Sequence, residues 1–191
     1  MRLHRRAQSK QQIACTRSFG RPVTDLEPLL EAVSTFASRA AEKLREQRSL
    51  AGQILVFAHT SAHRPGPRFS RSVVVPLRRP SADTRALVQA ATAGMRHLYA
   101  PGYLLAKAGV MLLDLQADDV HQGELALEDE PQRDRSQLLT AMDTLNKRYG
   151  KGTVHVGSAG PARSPKAWGM RQERRTPRYT TRWDEMPVVR A

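Results

Sequence analysis

At 191 residues, 40% of them hydrophobic, the chain is long enough for one ordinary domain and a smaller appendage around a real core. Lys and Arg number 31 against 18 Asp and Glu, and the resulting charge of +13 favours a polyanionic partner, nucleic acid ahead of a membrane surface. No apolar run approaches the roughly 20 residues that span a bilayer, and a single cysteine, Cys15, excludes an internal disulfide and suits a reducing cytoplasm.

Residues 1–24 contain Arg and Ser but no acid, as a mitochondrial transit peptide does, yet Gln11–Phe19 reads as a strand rather than an amphipathic helix. Ile13–Phe19 is a β-favouring run ending at Gly20, with Cys15 as a packing residue. Thr24 and Glu27 have capping-box spacing ahead of a long helix, whose stripe is Leu26, Leu29, Leu30, Val33, Phe36, Ala37, Ala40 and Leu44. Pro28 is tolerable because it falls in the first turn, and Arg39, Lys43 and Arg45 are expected on the solvent side. Gly52 opens a strand through Ile54–Phe57, and a loop with Pro65, Gly66 and Pro67 leads to a pairing strand at Ser72–Leu77. Asp83 can cap a second helix that turns Leu87, Val88, Ala91, Met95 and Leu98 inward. Pro101 and Gly102 end that helix before Lys107–Leu115 returns as a strand, with Asp114 at its close. The predicted class is α+β: a four-stranded split β-α-β-β-α-β sheet with two helices on one face and the other face free for a partner.

Charge then changes abruptly. Residues 1–113 carry 18 basic and 6 acidic groups, residues 114–134 carry 1 and 8, and residues 135–191 carry 12 and 4. Residues 1–117 therefore read as one domain, 118–134 as an acidic linker extended by self-repulsion, and 135–191 as a small C-terminal helix and irregular basic tail. Within that last part Ser136 is placed to cap a helix through Arg148, with Leu138, Met142, Leu145 and Tyr149 on one side and Gly150 as terminator. Thr153–Val156 is expected to add a short strand, after which Trp168, Tyr179 and Trp183 are the only large anchors.

Four strings carry a more specific signal: Lys10–Arg21 (KQQIACTRSFGR), Arg39–Arg45 (RAAEKLR), Lys107–Leu113 (KAGVMLL) and Pro177–Trp183 (PRYTTRW). Together they resemble the little finger and C-terminal part of UmuC-type members of the Y family of DNA polymerases, from about residue 10 to the C-terminus. The resemblance implies a four-stranded sheet with two helices that lies along the DNA major groove and grips backbone during SOS-response translesion synthesis. It implies no cofactor for this part, and in full-length relatives the palm, fingers and thumb come before it. Polymerisation needs acids on adjoining strands to hold two metal ions; none is evident here, so the expectation is a DNA-binding module that does not polymerise on its own.

Phosphate gripping calls for charge and hydroxyl donors rather than base readers, which selects Lys10, Arg17, Arg21, Arg71 and Lys107, with Ser18, Ser70 and Ser72. Gln122, Leu125 and Leu127 in QGELAL have the spacing of a sliding-clamp motif, and the resemblance places such a motif here. In the tail, Trp168, Arg178, Tyr179, Arg182 and Trp183 suit either stacking on single strands or a protein partner. The resemblance favours protein contacts, with the UmuD′ dimer and RecA, while a small folded cap over the 136–148 helix is the competing reading. An adapter that recruits clamp, UmuD′ or RecA is the alternative function, and an RNA-binding protein a further one, although the sheet is poor in stacking aromatics. His59 and His63 fail as a metal pair because Pro65 and the strand pattern oppose a helix there. Gly150–Thr153 (GKGT) fails as a phosphate loop because it follows a helix instead of opening one.

Overall fold

The computed structural model describes residues 11–119, 135–161, 166–171, 176–186 and 188. Its elements run β1 (Ile13–Val23), α1 (Leu26–Glu46), β2 (Ser49–Thr60), β3 (Ser70–Ser81), α2 (Thr84–Leu98), β4 (Leu105–Ala117) and α3 (Ser136–Tyr149). Short 3-10 turns follow at Gly157–Ala159 and Trp183–Glu185. The strands form one antiparallel sheet in the order β1-β4-β2-β3. β1 and β2 thus run parallel with β4 between them, and β3 and β4 run parallel with β2 between them, so each crossover helix belongs to a split βαβ unit. The predicted α+β class is the observed one.

Period-two alternation decides which face is covered. Ile13, Cys15, Ile54, Val56, Ala58, Ala108, Val110 and Leu112 are buried on the helix side. Against them pack Leu29, Val33, Phe36, Ala37, Ala40 and Leu44 of α1, and Leu87, Ala91, Met95 and Leu98 of α2. Gly94 lets α2 approach closely, since a Cβ there would lie 3.0 Å from both Val56 Cγ2 and Val75 Cγ2. β3 is an edge strand carrying Pro76, Pro80, Arg78 and Arg79, residues that discourage further pairing.

Local signals were resolved unevenly. Asp83 caps α2, its carboxylate accepting from the Arg85 backbone N–H at 2.8 Å. The Thr24–Glu27 capping box does not form: the Thr24 hydroxyl donates to Asp25, which takes the N-cap position without a side-chain cap bond. Ser136 is the first residue of α3 rather than its cap. Gly52 lies within β2, and Asp114, at φ 52°, lies within β4 rather than closing it. The two stand at opposed positions, where glycine leaves room for the Asp114 carboxylate. The expected strand at Thr153–Val156 is absent because Asn146 takes the place of a partner strand, donating to Val154 O and accepting from Val154 N–H, both at 2.9 Å.

The C-terminal part folds back onto α1. Arg45, expected in solvent, is half-buried and bidentate to Asp143 of α3, with Nε and Nη2 each 2.7 Å from a carboxylate oxygen. Its Nη1 donates to Ala82 O at 2.8 Å and Thr84 Oγ1 at 2.9 Å, so one guanidinium joins α1, α2 and α3. Trp168 is buried edge-to-face on Phe36, with centroids 5.5 Å apart. Lys166 bridges Glu31 and Ala159 O, and the Gly20 N–H donates to Gly169 O at 2.9 Å along the outer edge of β1.

A candidate nucleic-acid interface

The face without helices is read most simply in cross-strand rows, because directly opposed residues point the same way. The first row is Ser18, Lys107, His59 and Ser70; the second is Thr16, Gly109, Phe57 and Ser72. Beyond them lies an apolar row of Ala14, Met111, Leu55 and Val74. The first two rows, at one end of the open face, thus hold its serines and threonine together with Lys107 and His59. Gly109 is not a gap there: a Cβ would meet Thr16 Cγ2 at 2.6 Å and the Phe57 ring at 2.8 Å, so both neighbours close over it. Phe57 in turn stacks on His59, with ring planes 11° apart.

The segments meeting at this end, residues 13–23, 57–72 and 103–109, contain Arg17, Arg21, Arg64, Arg68, Arg71 and Lys107 and not one Asp or Glu. Arg68 donates to Ser61 O at 2.6 Å and Arg71 lies over the Phe69 ring, but none of the six makes an ion pair among the described residues. At the opposite end acids are present and pair with three of the cations. Arg48 pairs with Asp118 at 3.7 Å, Arg135 with Asp83 at 3.1 Å and Lys147 with Glu46 at 4.0 Å. One end of the sheet therefore presents positive charge beside exposed hydroxyls, in segments that contain no acid to match it.

The predicted phosphate contacts divide between two faces. Ser18, Ser70, Ser72 and Lys107 share the open face. Arg17 and Arg71 occupy the alternate row with Ala108 and Ala58 between them, which turns Arg17 toward α1 and leaves Arg71 exposed at the β3 edge. Arg21 is exposed near the end of β1. Lys10, Gln122, Leu125 and Leu127 lie outside the described residues. Of the tail residues, Trp168 belongs to this chain's own core and is corrected from partner anchor to packing residue. Tyr179 and Trp183 remain exposed, Trp183 at 86%, while Arg182 pairs with Asp184 and Glu185 and the Arg178 backbone N–H donates to Glu185 at 2.6 Å.

Thr16, His59, Arg64 and Arg68 were missed by reasoning residue by residue; the signal that finds them is the acid-free composition of segments that a hairpin and two strand ends bring together. Among the described residues no group of three metal-ligating side chains occurs, His59 and His63 included, and no helix is long and apolar enough to cross a membrane.

Comparison with known proteins adds two family matches. Residues 10–125 match the impB/mucB/samB family C-terminal domain, and residues 136–189 match a domain of unknown function, DUF4113. The chain is 37% identical over 183 residues to Protein ImpB of Salmonella typhimurium, covering 95% of this chain and 42% of that protein. It is 36% identical over 185 residues to Protein UmuC of Salmonella typhimurium, covering 96% and 43%. With Protein MucB of Escherichia coli it shares 34% identity over 182 residues, covering 95% and 42%. The chain spans about two fifths of the length of the curated relatives it matches.

Proposed function

Because the chain belongs to the impB/mucB/samB family, whose C-terminal domain it matches over residues 10–125, we propose that it is the DNA-gripping part of an SOS-response translesion polymerase. The reading assigns grip rather than chemistry to these residues. The first two rows of the open face meet the phosphates of a primer-template duplex, with Lys107 and the exposed hydroxyls of Ser18, Ser70 and Ser72 inside the contact. Arg21, Arg64, Arg68 and Arg71 flank it. The observation that carries this is the unpaired, acid-free positive end of a sheet face left uncovered by helices. Backbone contacts of this kind fix position without reading bases, as lesion bypass requires of a surface that must accept any sequence.

Such a contact is measurable through its salt dependence. Fluorescence anisotropy with primer-template duplex should give a log Kd against log salt plot whose slope falls by about one when Lys107→Ala or Arg68→Ala removes one phosphate contact, with little change between sequences. Salt-insensitive binding, or slopes unaltered by both substitutions, would reject the reading.

A further inference from the structure

Behind the sheet, where α3 and the segment after it close against α1, lies a cleft of about 300 Å³. Arg17 of β1, Arg39 of α1 and Lys151 of the turn after α3 all line it, and each is without an ion-pair partner among the described residues. The acids nearby are mostly spent. Asp143 is held bidentate by Arg45 and Glu31 by Lys166, which leaves Glu42 as the one carboxylate on the wall without an ion pair among the described residues. The same four side chains, Arg17, Arg39, Glu42 and Lys151, also line the adjoining groove toward Cys15, so they form one continuous strip. Lys151 is displayed between Gly150 and Gly152, at φ 106° and 85°, a backbone that glycine adopts without strain. The wall is rich in donors in a second way: Trp168, at its floor, has a buried indole N–H with no acceptor among the described residues.

We propose that this cleft is a binding site for a phosphate-bearing anion, separate from the open face of the sheet. Two guanidinium forks and one ammonium, delivered by three different elements, match the acceptor-only, multiply charged phosphate group better than a single carboxylate. The cleft is at the lower end of the roughly 300–1,000 Å³ of small-molecule sites, enough for a phosphate and part of what carries it. Its occupant is a phosphate on a free nucleotide or on the end of a nucleic-acid strand. The GKGT turn that cannot work as a phosphate loop at a helix N-terminus takes part here by another route, through the Lys151 side chain.

Trp183→Phe leaves Trp168 as the only tryptophan in the chain, so its fluorescence reports on the cleft floor. Titration of that full-length variant with inorganic pyrophosphate should give a saturable change that sodium chloride at equal ionic strength does not. Arg39→Ala and Lys151→Ala, both at exposed positions, should each weaken the apparent affinity about tenfold, the scale of one charge-assisted bond, without lowering the melting temperature. Lys107→Ala on the open face should leave it unchanged, which separates this site from the proposed duplex contact. A nucleoside triphosphate and a 5′-phosphorylated oligonucleotide, titrated in parallel, identify the source by which binds more tightly. A response equal to that of chloride, or one retained in both Arg39→Ala and Lys151→Ala, overturns the proposal.

Discussion

Gly109 is the residue on which the open face depends most directly. It sits at the centre of the sheet between Thr16 and Phe57, and the side chain it lacks would stand 2.6 Å from one and 2.8 Å from the other. Gly109→Val therefore has to displace the Phe57 ring, which is stacked on His59 beside Lys107. Overpacking of this kind costs about 1–3 kcal/mol, and thermal melting should show it, together with weaker duplex binding because the first row moves with the ring. An unchanged melting temperature would mean that the ring has free space to enter. Residue identity alone did not expose this role, because KAGVMLL shows only a glycine in a strand. The separation of Arg17 from Ser18 was, by contrast, legible in principle: neighbours in a strand point to opposite faces. Grouping them as one phosphate contact ignored that period of two.

At the scale of elements, the six pieces of the split sheet were readable because α1 and α2 carry a long 3.6-residue period and the strands are β-favouring runs set off by Gly and Pro. α3 was legible as a helix, Ser136 through Arg148 against the observed Ser136–Tyr149, but its inward face was not, for a physical reason. Its apolar positions Leu138, Leu145 and Tyr149 are exposed, while Leu139, Met142, Asp143 and Asn146 turn inward. The helix is oriented by polar contacts, the Arg45–Asp143 fork and the Asn146–Val154 pair, and a hydrophobic periodicity contains no record of those. A double-mutant cycle tests which force sets the orientation. Arg45→Met and Asp143→Asn should each destabilise, and the pair should show a coupling of about 0.5–3 kcal/mol in denaturant melts, as contacting groups in one network do. Additivity within a few tenths would return the orientation of α3 to its apolar contacts.

For the whole molecule, the two family matches, residues 10–125 and 136–189, meet across one shared core. Trp168 comes from the second and is 3% exposed against Phe36 of the first, and the Gly169 carbonyl takes a hydrogen bond from the β1 edge at Gly20. Gly20 permits this approach, as a Cβ there would lie 2.5 Å from Arg171 N. The tail reads as an irregular segment because its local sequence is rich in Gly, Pro, Ser and Arg; what anchors part of it is contact with distant residues, the Trp168–Phe36 pair together with Lys166–Glu31 and the Gly20–Gly169 bond. Trp168→Ala removes the aromatic pair and should cost about 3–5 kcal/mol, the range for a large buried aromatic truncated to alanine. The loss should not stay local. With residues 166–171 released, the outer edge of β1 presents unpaired backbone groups, and a free edge recruits other strands. Hydrogen exchange should then accelerate at Gly20 and along α1 near Phe36 together, and light scattering should detect association as concentration rises. If exchange quickens only within 166–171 while α1 keeps its protection, the C-terminal part rests on the sheet domain without contributing to its stability.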